Sequence, residues 1–240
     1  MTYKTKLFCI PFAGGSASYY MSWKASLNPT IELLPIELAG RGYQYGSPFF
    51  ETFDDAVENI YQYILTHADD QPYSIFGHSM GSLLAYQVTQ KLNVAEIYTH
   101  SHLFLSAAKT PNVARNNKKF HLLTDDLLMH ELIQFGGIPN EVYENPELLQ
   151  ILLPIIRADF RMLDTYKIKK NFPLLPQSVT IFGGLDDAFV SLDELKAWEQ
   201  LTASSFKIHL FDGGHFYLNN HTPKIIRIIN ETLSDHQSWR

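Results

Sequence analysis

The sequence predicts an α/β fold with a mostly parallel central sheet and helices on both faces. Short apolar runs, rich in β-branched and aromatic residues, alternate with longer segments of helical periodicity along the 240 residues. The apolar runs are nearly continuous, which is typical of parallel strands that are buried on both faces. With no internal repeat and no low-complexity linker, we expect one domain over residues 1–240.

Six apolar runs are predicted as strands. In chain order they cover residues 5–12, 31–38, 72–77, 102–107, 178–183 and 206–211. Helical periodicity covers residues 52–68, 82–92 and 191–201. The first of these helices has Thr52 in position to cap its N-terminus, with Asp54 and Asp55 in its first turn.

A long interval between the fourth and fifth predicted strands departs from this alternation. It has about 70 residues, too many for a plain loop, and residues 124–135 and 146–166 are helix-like. We expect a helical lid insertion of approximately residues 109–172 over the carboxyl edge of the sheet, where open α/β sheets bind ligands. The alternative is that these helices belong to the ordinary layer packed on the sheet.

Composition narrows the classes of function. A content of 45% hydrophobic and 18% charged residues is typical of a globular protein, and the net charge of −6 disfavours binding to a nucleic-acid backbone. No segment approaches the roughly 18 apolar residues that span a bilayer, and the N-terminal run lacks a signal-peptide cleavage site. We expect a cytoplasmic, monomeric protein without membrane contact, in which the single cysteine, Cys9, is a buried apolar residue.

A Gly-x-Ser-x-Gly motif, Gly77 to Gly81, lies between a predicted strand and a predicted helix. The motif alone recurs by chance, but this setting is that of a nucleophile elbow, a sharp turn that exposes a reactive serine. Small residues are needed two positions either side of Ser79, because the strand and helix approach closely there. The helix that follows would also direct its free N–H groups toward the site. Ser79 is therefore the predicted nucleophile.

An acid and a base follow Ser79 in the order that this fold requires. Asp186 and Asp187 follow the fifth strand, and His215 follows the sixth. His215 would act as general base and then general acid, while an aspartate orients its imidazole. Both aspartates fit a turn-then-carboxylate pattern. We prefer Asp187 because Val190 then follows three residues later, where the chain turns back into the core.

The remaining histidines have structural interpretations. His78 adjoins Ser79, but neighbouring side chains at an elbow point apart, so it is expected to be structural or to shape the pocket rather than to act as the base. His209 lies within a strand, and His221 lacks a glycine-supported turn. His100 and His102 have no third ligand in the sequence, so no metal site is predicted.

An oxyanion hole needs two preorganised N–H donors. The residue after the nucleophile, Met80, would supply one. The second is expected from the glycine-rich loop after the first strand, where Ala13 is the first candidate and Phe12 the second. A phosphate-binding reading of this loop lacks the following lysine and the wider glycine pattern.

Several motifs together resemble the type II thioesterases of nonribosomal peptide and polyketide synthases, over nearly the whole chain. The quoted segments are PFAGG (Pro11–Gly15), GHSMG (Gly77–Gly81), GLDD (Gly184–Asp187), GGHF (Gly213–Phe216), LAGRG (Leu38–Gly42) and FGGIP (Phe135–Pro139). Ala39 stands where the family usually has proline. The resemblance implies an α/β-hydrolase fold with a mobile lid and the triad Ser79, Asp187 and His215.

The resemblance also implies a reaction, the hydrolysis of acyl thioesters from the phosphopantetheine arm of carrier domains through an acyl-serine intermediate. The substrate carries the phosphopantetheine, so no cofactor is expected. Alternatives are a medium-chain fatty-acyl thioesterase, a general carboxylesterase or lipase acting on the same triad, and a noncatalytic acyl-binding protein. Apolar lid residues are candidates for an acyl slot: Leu127, Leu132, Ile133, Leu148, Leu152 and Leu153. The alternative is that most of them pack the lid on the core.

Two basic clusters lie within or beside the predicted lid. One contains Arg115, Lys118 and Lys119; the other contains Lys167, Lys169 and Lys170. Carrier domains are usually acidic, so we hypothesise that one cluster meets the carrier. The alternative is that each is an ordinary solvated face.

Overall fold

A six-stranded parallel sheet forms the centre of the protein. The computed structural model describes residues 4–69, 71–96, 100–113, 118–137, 142, 144–168 and 173–235. The strands are β1 (Thr5–Ile10), β2 (Ile31–Pro35), β3 (Tyr73–His78), β4 (His100–Ser106), β5 (Ser178–Gly184) and β6 (Phe206–Phe211). Their spatial order is β2-β1-β3-β4-β5-β6, and every neighbouring pair is parallel. All six predicted strands are present, within a few residues of the predicted ends.

Both faces of the sheet are buried, as the continuous apolar runs predict. Successive side chains in a strand point to opposite faces. In β1, Phe8 and Ile10 pack into one hydrophobic cluster, whereas Leu7 and Cys9 pack into the other. Cys9 is fully buried, and burial raises the pKa of its thiol well above the ordinary value. It is therefore the apolar core residue that the sequence predicts.

Helices cover both faces. They are α1 (Ser18–Met21), α2 (Phe53–Ala68), α3 (Met80–Val94), α4 (Asp125–Phe135), α5 (Pro146–Asp164), α6 (Leu192–Lys196) and α7 (Leu218–Asp235), with 3₁₀ turns at Ser22–Ala25, Gly42–Gln44, Phe120–Leu122 and Ala197–Leu201. Apolar residues of α2, α3 and α6 join the cluster on one face, and those of α1 and α7 join the cluster on the other. Thr52 caps α2 in a capping box with Asp55, as predicted.

The helices α4 and α5 fall in the interval for which a lid is predicted. Leu128 and Leu132 of α4 pack against Leu153 and Ile156 of α5 in a small separate cluster. The C-terminal end of α5 instead enters the main core through Met162 and Leu163. The interval therefore combines a local cluster with a firmly anchored helix end.

None of the helices in the described ranges combines the length and apolar character that crossing a bilayer requires.

Candidate active site

Ser79 lies at a strained turn between β3 and α3. Its backbone has φ of 53° and ψ of −114°, in the left-handed half of conformational space that a non-glycine residue rarely adopts. A Cβ atom on Gly77 would lie 2.2 Å from the carbonyl oxygen of Gly81, and one on Gly81 would lie 2.2 Å from that of Ile10. The two glycines of the motif are therefore required by the close approach of backbone segments.

Hydrogen bonds to β4 fix this turn. The Ser79 N–H donates to the carbonyl oxygen of Ser106 at 2.8 Å. The buried hydroxyl of Ser82 lies 2.7 Å from the Gly77 carbonyl oxygen and accepts from the Ser106 N–H at 2.9 Å. A buried polar group that is satisfied in this way holds a strained backbone in place.

His215 lies between Ser79 and Asp187. Its Nε2 is 2.8 Å from Oγ of Ser79, and its Nδ1 is 2.8 Å from Oδ2 of Asp187. The side chains of His215 and Asp187 are 5% and 1% exposed. The structure thus brings together the three residues that the sequence singles out, in hydrogen-bonded order and largely away from solvent.

The two aspartates have different environments. The second carboxylate oxygen of Asp187, Oδ1, accepts from the N–H groups of Phe189 and Val190 at 2.8 and 3.2 Å. Asp186 instead accepts from the Gly213 N–H at 3.3 Å, and its own N–H donates to the Gly213 carbonyl oxygen at 3.0 Å. Asp187 therefore faces the imidazole, and Asp186 joins the two loops behind it.

His78 is buried beside this arrangement and does not contact Ser79 Oγ through a hydrogen bond. Its Nδ1 lies 2.7 Å from Oγ of Ser106, which in turn lies 2.5 Å from the Tyr217 hydroxyl. The rings of His78 and His215 are 5.4 Å apart. Burial, with a smaller contribution from His215, lowers the pKa of His78 well below its ordinary value. This position agrees with the structural one of the two roles expected from the sequence, because the buried imidazole is hydrogen-bonded to Ser106 and lines neither of the two cavities at Ser79.

The loop after β1 faces the same site. Phe12, Ala13, Gly14 and Gly15 form a turn in which the Gly15 N–H donates to the Phe12 carbonyl oxygen at 2.8 Å. Ala13 and Met80 line one cavity together with Ser79 and His215. Met80 is the first residue of α3, so its N–H has no acceptor within the helix. The two predicted oxyanion donors are thus located at the same cavity as the serine.

Sequence reasoning missed a buried ion pair behind this loop. Arg41 contacts both carboxylate oxygens of Asp159, from Nη1 at 2.7 Å and from Nη2 at 2.6 Å. The same pair holds the loop, because Asp159 accepts from the Gly14 N–H and Arg41 donates to the Gly15 carbonyl oxygen. The partners are 118 residues apart, so no local pattern could reveal them.

Two cavities meet at Ser79, Met80 and His215. The larger, of about 500 Å³, runs between the Phe12–Gly15 loop and the helices α4 and α5. The smaller, of about 320 Å³, runs along Ala107–Pro111, a range that includes Lys109, toward Lys118. Such a pair of openings at one serine can hold the two halves of an extended substrate on either side of the reacting carbonyl.

The six lid residues predicted for an acyl slot divide into three groups. Leu132 and Leu152 line the larger cavity. Leu153 is buried in the packing between α4 and α5. Leu127, Ile133 and Leu148 are exposed, so their assignment to the slot is wrong. Helical spacing alone does not distinguish the side of α4 or α5 that faces the core from the side that faces solvent.

The basic clusters are only partly within the described residues. Arg115, Lys169 and Lys170 lie outside them, as do Ile138 and Pro139 of the FGGIP segment. Lys118 pairs with Glu131, and Lys119 with Asp164. The first cluster is thus partly neutralised by acidic groups of the lid.

Two of the other histidines, His102 and His221, make structural contacts. His102 Nε2 lies 2.8 Å from the Thr180 hydroxyl, and His221 Nε2 lies 3.0 Å from the Asp212 carbonyl oxygen. Within the described ranges, no three histidine, cysteine, aspartate or glutamate side chains are grouped so as to hold a metal ion.

Comparison with known proteins identifies the family. The thioesterase domain model matches residues 5–233. The chain is 30% identical to the medium-chain S-acyl fatty acid synthase thioesterase of Rattus norvegicus over 216 residues, covering 89% of this chain and 81% of the relative.

Two solved structures match over almost their full length. ClbQ from the colibactin NRPS/PKS pathway superposes with a TM-score of 0.91 at 33% identity, covering 97% of this chain and 98% of the other. BorB, a type II thioesterase from the borrelidin biosynthetic cluster, superposes with a TM-score of 0.85 at 33% identity, covering 95% and 92%. The chain therefore belongs to the thioesterase domain family, and it is a thioester hydrolase of the α/β-hydrolase fold.

Proposed function

We propose that this protein is a type II thioesterase that removes acyl groups from the phosphopantetheine arms of carrier domains in a peptide or polyketide synthase. One observation carries the proposal: the hydrogen-bonded series Ser79–His215–Asp187 stands where two cavities meet, with chain-long similarity to ClbQ and BorB in support. The smaller cavity would admit the arm, and the larger would hold the acyl chain.

The reaction begins with acylation of the serine. Nε2 of His215 takes the hydroxyl proton as Ser79 Oγ attacks the thioester carbonyl carbon, and the Asp187 carboxylate stabilises the imidazolium that forms. The N–H groups of Met80 and Ala13 donate to the oxygen that becomes negative. Collapse of this intermediate breaks the C–S bond, and His215 gives its proton to the departing thiolate, which leaves as a thiol.

Deacylation repeats these steps with water. His215 removes a proton from a water molecule that attacks the acyl-serine, and then protonates Oγ of Ser79 as the carboxylic acid leaves. The balance is one thioester and one water consumed, with one acid and one thiol released. Each proposed step uses side chains or backbone N–H groups of this chain, and the proposed mechanism invokes no metal or cofactor.

Mass measurement of intact carrier domains tests the proposal directly. Carriers loaded with acetyl, medium-chain acyl or aminoacyl groups are exposed to the protein, and loss of the acyl mass with retention of phosphopantetheine is expected. Ser79→Ala should retain less than about 10⁻³ of the activity, because triad members act as a unit. Unchanged carriers with the wild-type protein would contradict the proposal.

A matched series of substrates separates the alternatives. A carboxylesterase would favour p-nitrophenyl esters over acyl-pantetheine, whereas a medium-chain fatty-acyl thioesterase would favour chains of intermediate length on both free and carrier-bound thiols. The proposed enzyme should favour short or aberrant acyl groups on carriers. Strong preference for oxygen esters would overturn the assignment.

The carrier is proposed to dock at the mouth of the smaller cavity. Lys109 and Lys118 line that cavity, and Lys119 follows Lys118 in the sequence. Charge reversal at Lys118 and Lys119 should slow turnover of carrier-bound substrate by about tenfold, because these charges affect the rate at which the enzyme and the acidic carrier associate. Turnover of acyl-pantetheine, which has no carrier, should be unchanged. Lys4→Glu is the control, because Lys4 is exposed and precedes β1, at the edge of the sheet opposite the site. Equal loss on both substrates would exclude this docking face.

A further inference from the structure

The ion pair between Arg41 and Asp159 is buried yet distant from the reacting atoms. The two side chains are 3% and 5% exposed. A buried ion pair contributes little net stability compared with apolar residues of the same volume, because both charges lose their hydration. A bidentate guanidinium–carboxylate contact does, however, define the relative position of the two segments that carry it. The Arg41–Asp159 pair connects two segments of the chain.

The first segment is the loop that supplies the proposed oxyanion donor. Oδ2 of Asp159 accepts from the Gly14 N–H at 2.8 Å, and Nη1 of Arg41 donates to the Gly15 carbonyl oxygen at 3.0 Å. The peptide group between Ala13 and Gly14 and the one after Gly15 are thus held from outside the loop. The Gly15 N–H in turn donates to the Phe12 carbonyl oxygen at 2.8 Å, and that carbonyl belongs to the same peptide group as the Ala13 N–H. The ion pair therefore acts on the Ala13 N–H through this turn.

The second segment is the helix α5. Asp159 lies one turn after Ile156, and a Cβ on Gly14 would be 2.6 Å from Cγ1 of Ile156. The same helix face that contacts the loop continues to Leu152, which lines the larger cavity. At its C-terminal end, the Thr165 hydroxyl accepts from the Phe53 N–H at 2.8 Å, which ties α5 to α2.

We propose that the Arg41–Asp159 pair makes the oxyanion loop and the helix α5 one mechanical unit, so that the Ala13 N–H is correctly placed only while α5 is seated. Arg41 and Asp159 are positioning residues, since neither touches the substrate or Ser79. This inference rests on the proposed function. It implies that α5 stays bound to the catalytic loop throughout turnover.

The test uses Asp159→Asn, which keeps the shape but removes the charge, and the double variant Arg41→Met with Asp159→Leu, which replaces the pair by apolar groups. Turnover of acetyl-pantetheine is compared with inhibition by a trifluoromethyl ketone thioether, whose serine adduct places an oxyanion between the two donors. We expect kcat to fall by about 10²-fold, the inhibition constant to rise by a similar factor, and KM to stay within about threefold.

A matched control and a stability measurement separate positioning from folding. Asp125→Asn breaks a different ion pair of α5, in which Arg157 contacts the exposed Asp125 of α4, and should leave kcat and inhibition unchanged. The double variant should melt within a few degrees of the wild type while remaining as slow as Asp159→Asn. Arg41→Lys, which keeps the charge and loses the paired contact, gives the same readout if the other variants do not fold.

The outcomes are distinguishable. Wild-type kcat in Asp159→Asn, recovery of kcat in the double variant, or a loss of kcat without weaker inhibition would each overturn the positioning role. Absence of thioester hydrolysis by the wild-type protein would instead contradict the proposed function itself.

Discussion

The carboxylate of Asp187 lies 2.8 Å from Nδ1 of His215, whereas the adjacent carboxylate of Asp186 binds the Gly213 N–H. Asp187→Asn should lower kcat on acyl-pantetheine by roughly 10³- to 10⁴-fold, because an amide neither fixes the required tautomer nor stabilises the imidazolium. Asp186→Asn is the matched control, with kcat expected within about threefold of the wild type, since its change is remote from the proton transfers. Reversed effects would assign the triad acid to Asp186.

The architecture was accessible from sequence because it depends on local periodicity. Near-continuous apolar runs predicted parallel strands, and Gly77 and Gly81 predicted the elbow, since only close backbone approach requires small residues at both positions. The pairing of Arg41 with Asp159 was not predictable, because it joins a loop after β2 to a helix that follows β4. The three exposed lid residues were misassigned for a related reason: which face of a helix is buried depends on its tertiary partners.

Substitution of Gly77 tests the close contact at the elbow. Gly77→Ala should lower the free energy of unfolding by about 3 kcal/mol or more, because its Cβ would meet the backbone of Gly81, which cannot move without displacing α3. Gly214→Ala offers a comparison, since the atom nearest to its added Cβ is 3.7 Å away. Urea denaturation of both variants measures the difference, and equal losses would contradict the steric explanation.

Burial of His78 should make stability depend on pH. Its pKa is lowered in the folded state, so as pH falls below about 6.5 the unfolded chain takes up a proton that folded His78 does not. The free energy of unfolding should therefore decline by up to about 1.4 kcal/mol per pH unit below that value, from this group alone. The contribution of His78 to the free energy of unfolding is therefore fully present above pH 6.5 and is lost as the pH falls below it.

Urea denaturation between pH 5 and pH 8 measures this slope. His78→Asn keeps a polar atom near Oγ of Ser106 and cannot titrate, so the difference in unfolding free energy between wild type and variant should shrink as pH falls. His130→Asn is the control, because the His130 side chain is 70% exposed. Parallel curves for the wild type and His78→Asn would show that His78 does not carry the effect.

The length of the acyl chain should be limited by the larger cavity. Leu152 lines this cavity, and Leu152→Trp would fill much of it without touching Ser79. Turnover of decanoyl-pantetheine should fall by at least about tenfold relative to acetyl-pantetheine, because each methylene excluded from an apolar pocket costs binding in the transition state. Ile151→Trp, on the exposed side of the same helix, should leave the ratio unchanged. A proportional loss on both substrates would place the acyl chain in the smaller cavity, or would show that the tryptophan disturbs α5.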